Sequence, residues 1–227
     1  MRFRRVTAMV FAGSLLVGMT APQAMAQSNG EDIFNGGRGS SVSQLPSLPE
    51  GSAIGSIGGD ELTQIGQLDP EQYAGSWYQV AAVPQPYTLQ CLSNTKAKYE
   101  VIDDATISVK NSCTTLFGTT SDITGKAQVT DPETNASLRV AFDGIPGQSL
   151  EGETNYRVTY LSEDYDLAIV GDPQRRSGFV LSRTPNLSGE DWDLVKTTVT
   201  DRGWWDCAFF TTPQEGGESL ALPLCTK

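Results

Sequence analysis

The 227-residue sequence predicts an all-β fold: an eight-stranded antiparallel up-and-down barrel, then one C-terminal α-helix packed outside and a short ninth strand. Three observations predict it. Apolar and polar residues alternate in short runs from about residue 69 to 213. Turn signals such as Asp103-Asp104 and Asp131-Pro132 separate those runs at spacings short enough for antiparallel neighbours. Sixteen of the nineteen aromatics, including every Trp and Tyr, follow residue 68, so the core-forming material is concentrated there.

Trp77 to Val83 reads as the first strand. In the next hairpin Ala97, Tyr99 and Val101 alternate with Lys98 and Glu100, the chain turns at Asp103-Asp104, and Ile107, Val109 and Asn111 alternate with Ser108 and Lys110. Gly125 to Val129 follows, and Leu138, Val140 and Phe142 alternate with Arg139 and Ala141. Tyr156 to Leu161, Leu167 to Gly171 and Gly178 to Arg183 complete eight. Eight strands close around a space wide enough for one small ligand. Ser188 with Asp191 three residues on forms a capping-box pattern, and Gly203 offers a left-handed stop. Between them Trp192, Val195 and Val199 fall on one helical face, a stripe expected to pack on the outside of the barrel. Trp204 to Thr212 reads as the ninth strand.

Composition excludes several chemistries. The chain has no histidine, so Ser-His-Asp and Cys-His nucleophiles and histidine zinc sites are impossible. A formal charge of −11 and a pI near 4.4 argue against nucleic acid as a partner. No metal and no cofactor are expected. Residues 1–26 read as a secretory signal peptide: Arg2, Arg4 and Arg5, an apolar run through Val10, Phe11, Leu15, Leu16 and Val17, then Ala24-Met25-Ala26. That run is too short to span a bilayer, which takes about 20 apolar residues. Cleavage after Ala26 would take the charge from −11 to −14 and release a secreted chain with no transmembrane anchor. The first cysteine is Cys91, so no lipid-attachment cysteine would head the mature chain. Residues 27–68 hold nine glycines and seven serines without periodicity and read as a flexible segment, leaving residues 69–227 for the barrel domain and its tail.

Four cysteines suit two disulfides in an oxidising compartment. Cys91 and Cys113 flank the Asp103-Asp104 hairpin at similar distances from its turn, which favours their pairing and leaves Cys207 with Cys225; other connectivities remain open.

The motifs resemble those of the lipocalin family, in its bacterial and apolipoprotein D-like branch. Gly75-Ser76-Trp77-Tyr78 is similar to the family's first motif, and Phe179-Val180-Leu181-Ser182-Arg183-Thr184-Pro185 to its third. The second motif departs: Ser162-Glu163-Asp164-Tyr165 stands where T-D-Y is usual. The resemblance spans about residues 70–213. It implies a barrel closed at one end by Trp77 with Arg183 over its indole, and Gly75 at the entry to the first strand. It also implies an alternative disulfide, Cys91–Cys225.

Taking Trp77 and Arg183 as inward markers, Phe179 and Leu181 face inward. Apolar alternation and family register add Ala97, Tyr99, Ile107, Val109, Leu138, Val140, Phe142, Thr159, Leu161, Leu167 and Ile169. Arg157 is placed on the same face near the rim, where it would meet a carboxylate or phosphate head group. The small residues Ala97, Gly125 and Ala127 leave space. The expected function is a monomeric, secreted, non-enzymatic carrier or scavenger of a small apolar ligand of fatty-acid, lysophospholipid or isoprenoid type. The alternatives are a barrel filled by its own side chains, a lipid-modifying cavity enzyme, and a surface protein acting through residues 27–68.

Overall fold

The computed structural model describes residues 60–227. The signal-peptide reading of residues 1–26 and most of the flexible reading of residues 27–68 fall outside that range. Residues 60–68, expected to belong to the flexible segment, instead run along the barrel. Leu62, Ile65 and Leu68 donate backbone hydrogen bonds to Pro173 (2.8 Å), Val158 (3.0 Å) and Thr134 (2.7 Å), and Leu62 and Leu68 are fully buried. Two leucines and an isoleucine among small polar residues are enough to anchor an otherwise featureless stretch.

A four-residue helix, α1 (Pro70–Tyr73), leads into the barrel. The Asp69 side chain caps it and Pro70 opens it. Eight strands follow: β1 (Gly75–Ala82), β2 (Cys91–Asp103), β3 (Thr106–Thr115), β4 (Thr120–Val129), β5 (Ser137–Phe142), β6 (Tyr156–Leu161), β7 (Leu167–Gly171) and β8 (Gly178–Ser182). Each pairs antiparallel with the next. β1 closes the ring by pairing with β8 along one edge and, through Gly75–Tyr78, with β2 along the other. Where β2 leaves that edge, the short β9 (Phe210–Thr211) replaces it beside Ala81 and Ala82. The ninth strand is much shorter than the expected Trp204–Thr212, because Asp206–Ala208 coil into a 3-10 turn first.

Helix α2 (Gly189–Asp201) carries both sides of the Ser188–Asp191 capping box and ends at Gly203, whose φ is +85°. Its stripe of Trp192, Val195 and Val199 packs with Leu167 and Ile169 of β7 and Val180 of β8 on the outer barrel wall. The outer cluster also takes in Leu62, Trp204, Phe209 and Leu224. A second cluster fills part of the interior, from Leu68, Tyr73 and Trp77 at the base to Val109 and Leu181.

Cys91 is bonded to Cys113, and Cys207 to Cys225; the Cys91–Cys225 pairing implied by the resemblance is not formed. The first disulfide ties β2 to β3 at the open end. The second ties the C-terminal tail to the segment before β9, where Leu224 is buried. Among the described residues no helix is long and apolar enough to cross a membrane.

Candidate ligand cavity

The base of the barrel is a stopper built from three short sequence pieces. Trp77 is fully buried and its indole N–H donates to the Tyr73 carbonyl at 2.9 Å. The Arg183 guanidinium lies 3.9 Å from the Trp77 ring centroid. Its N–H groups donate to the carbonyls of Ser76 (3.0 Å), Gln72 (2.8 Å), Tyr73 (3.4 Å), Ala74 (2.9 Å) and Tyr165 (3.2 Å), which pins α1, β1 and the β6–β7 turn together. Gly75, at φ +100°, enters β1 beneath this cation. A Cβ there would lie 3.1 Å from the Arg183 Nη1, so glycine serves both the backbone and the cation.

Above the stopper lies an open cavity of about 680 Å³, within the range of small-molecule sites. Nine of the residues expected on its wall line it: Ala97 and Tyr99 of β2, Ile107 and Val109 of β3, Leu138, Val140 and Phe142 of β5, and Phe179 and Leu181 of β8. Ala127 lines it too. Gly125 does not: a Cβ there would sit 2.3 Å from the Ala141 carbonyl oxygen, so this glycine permits the close approach of β5 rather than widening the cavity.

Five expected wall residues lie elsewhere. β6 shifts register between Val158 and Tyr160. Before that bulge Tyr156 and Val158 pack with the interior cluster. Arg157 therefore points to the outer surface, where it donates to Ser137 Oγ (3.1 Å) and the Leu62 carbonyl (2.5 Å) and pairs with Glu61 (3.3 Å). The head-group role expected for Arg157 has no geometry behind it. Thr159 sits at the bulge, fully buried and off the cavity wall, with its carbonyl accepting from Arg202 Nε at 3.3 Å. After the bulge Leu161 packs with the interior cluster but lies off the cavity wall. Leu167 and Ile169 face outward under α2, and Ala168 and Val170 take the inner face. All five residues of β7 are buried, so its two faces carry no polar alternation from which a phase could be read.

The residues missed by sequence reasoning are the polar ones at the floor. Tyr73 comes from α1, and its ring stacks on Tyr99 with centroids 5.4 Å apart. The Tyr156 hydroxyl stands between the two others, 2.8 Å from Tyr73 Oη and 3.2 Å from Tyr99 Oη. Burial pushes the Tyr99 hydroxyl up to about 12, and those of Tyr73 and Tyr156 well above the ordinary phenol value. Asp69-Pro70 before Tyr73 was a readable helix-start signal. Tyr156 belonged to the opposite phase of β6 from Arg157. Higher on the wall, the Asn111 Oδ1 is buried and has no hydrogen-bond partner among the described residues.

The charged residues on the wall have their charges engaged. Lys96 lies over the Tyr78 ring at 4.6 Å, Asp122 pairs with Lys110 at 2.7 Å, and Arg176 pairs with Asp172 at 2.7 Å. The remaining lining is aliphatic and aromatic, so the arrangement favours transfer of apolar surface out of water. The turn acids serve structure. Asp103 accepts from Ala105 N at 3.0 Å, and Asp131 accepts from Thr134 Oγ1 at 2.7 Å, from the Gln64 side chain and from Glu133 N at 3.1 Å; these bonds hold both carboxyls below the usual range.

Residues 68–214 match the family described as the lipocalin-like domain. The chain is 31% identical over 156 residues to temperature-induced lipocalin-1 of Arabidopsis thaliana, covering 68% of this chain and 83% of that protein. It is 30% identical over 156 residues to the outer membrane lipoprotein Blc of Escherichia coli K12, covering 68% and 84%. Among solved structures, insecticyanin of the tobacco hornworm Manduca sexta superposes with a TM-score of 0.52 at 18% identity, covering 71% of this chain and 93% of that one; this likeness is one of fold.

Proposed function

We propose, from the premise that this chain belongs to the lipocalin family, that it binds and carries one small apolar molecule in its barrel. The observation that carries the reading is the cavity of about 680 Å³ left open above the Trp77–Arg183 stopper. Burying about 300 Å² of apolar ligand surface would contribute roughly 7 kcal/mol before ordering costs, which is compatible with micromolar affinity. One chain encloses the whole wall, which supports action as a monomer. Fatty-acid, lysophospholipid and isoprenoid chains all fit that volume and lining.

The reading is of a carrier rather than an enzyme. The turn acids Asp103 and Asp131 accept bonds from their own turns, and the acids on the cavity wall, Asp122 and Asp172, are ion-paired. Export fits the signal-like residues 1–26 and the two disulfides, which persist in oxidising compartments. The name of the Escherichia coli relative as an outer membrane lipoprotein fits a place in or beyond the envelope.

Native mass spectrometry of the full chain expressed with its N-terminal residues tests this. The expected result is cleavage near Ala26 and a one-to-one adduct of a few hundred daltons that organic extraction removes. A fully unliganded protein that takes up no apolar molecule on incubation would overturn the carrier reading.

A further inference from the structure

The apolar cavity ends on three phenol hydroxyls, and their proton count points to a ligand. Tyr156 Oη lies within hydrogen-bond reach of both Tyr73 Oη (2.8 Å) and Tyr99 Oη (3.2 Å). Three hydroxyls carry three protons, and the two bonds among them use two. The third proton has no acceptor among the described residues. All three residues line the cavity, so an oxygen brought in from it would accept that proton in place of water. The hydroxyls also keep free lone pairs, so the cluster accepts as readily as it donates.

The charge of the incoming oxygen follows from what surrounds the floor. The guanidinium behind it, that of Arg183, is turned onto the Trp77 ring and five backbone carbonyls. Arg157, the cation expected for an acidic head group, is on the outer surface. A carboxylate pushed to the floor would lose its water and gain one free O–H donor, which does not offset the desolvation of an anion. A neutral oxygen loses far less and gains the same bond. The raised ionisation of the three phenols keeps them as donors at any physiological pH.

We propose that Tyr73, Tyr99 and Tyr156 form a hydrogen-bonding subsite at the cavity floor for an uncharged oxygen, a hydroxyl or carbonyl at the buried end of an apolar chain or ring. The ligand then enters oxygen first, with its hydrocarbon along Val109, Val140 and Phe179 toward the open end. This selects fatty alcohols, aldehydes and oxygenated isoprenoids over anionic lipids of equal length. The inference rests on the carrier reading above.

Displacement of N-phenyl-1-naphthylamine, an uncharged and oxygen-free fluorophore, tests both separately. The competitors are 1-dodecanol and dodecanoate at pH 8, and the proteins are wild type, Tyr156→Phe and Tyr99→Phe. The fluorophore's own affinity is measured first for each protein and displacement is expressed relative to it, while far-UV circular dichroism reports that each variant is folded. 1-Dodecanol is expected to displace it at least tenfold more effectively than dodecanoate in the wild type, and to lose about five- to tenfold in Tyr156→Phe and less in Tyr99→Phe. If the fluorophore binds everywhere but dodecanoate competes as well as the alcohol, or if both phenylalanine variants bind the alcohol as the wild type does, the subsite is wrong and the carrier reading stands. If the fluorophore binds no form, both fall.

Discussion

The two faces of β7 and β8 bury comparable apolar residues and end in opposite states. On the outside, Leu167, Ile169 and Val180 meet Trp192, Val195 and Val199 of α2, with Trp204 and Phe209 alongside, and the space is filled. On the inside, Ala168, Val170 and Leu181 look across the barrel toward Ala97 and Ala127, and a cavity of about 680 Å³ is left. The large residues of β7 go where a helix covers them, and the smaller ones go where a guest is to fit. Stability is therefore concentrated in the outer layer and the stopper, and binding capacity in the inner wall.

That division can be broken at its strongest point first. Trp77→Ala removes the ring that closes the base and carries the Arg183 contact. It should cost about 3–5 kcal/mol in urea unfolding and open the floor to water. A loss under about 1 kcal/mol would mean that the stopper is ornamental. Ile169→Ala empties a site under α2 and should cost about 2–4 kcal/mol while leaving uptake of an apolar probe within twofold of wild type. A large fall in binding with unchanged stability would place Ile169 on the wrong face.

The floor tyrosines give a pH dependence. The Tyr99 hydroxyl is raised by burial from 10.0 to about 12. Below pH 10 it is neutral in folded and unfolded chains alike, and the full stabilisation is present. As pH rises from about 10 to 12 the unfolded phenol ionises first, so stability falls across that window, by about 2 kcal/mol for this group. Tyr99→Phe should flatten the decline of the urea midpoint between pH 9 and pH 11.5. An unchanged slope would show the ring to be more exposed than described. The smallest effect belongs to Arg157→Ala, which loses outer-surface bonds to Ser137 and Leu62. Stability should fall by about 1 kcal/mol, and binding of dodecanoate should not change. Selective loss of the anion would restore the head-group role that the structure denies this residue.

How much could be read in advance follows from the same division. Strands with one wet face carry their phase in the sequence. Ala97 and Tyr99 against Lys98 and Glu100, and Ile107 and Val109 against Ser108 and Lys110, give the correct wall directly. β7, Leu-Ala-Ile-Val-Gly, is covered on both faces and carries none, so alternation alone does not show that its bulkiest residues, Leu167 and Ile169, face outward under α2. β6 hides a bulge, and a single inserted residue inverts the phase of everything beyond it. The stopper was legible because Trp77 and Arg183 carry recognisable motifs. The tyrosine floor was not, because its hydroxyls come from α1, β2 and β6, and only the closed ring brings them together.

The central claim is that the interior is held open for a guest, and the most direct measurement is a fluorescence titration with N-phenyl-1-naphthylamine on the wild type and on Ala127→Trp. Ala127 sits on the wall between Ile107 and Val140, where an indole would occupy the lower cavity. One-to-one binding by the wild type, weakened at least tenfold in a variant that unfolds at a similar urea concentration, is the predicted result. Equal binding by both proteins, or none by either, would contradict it.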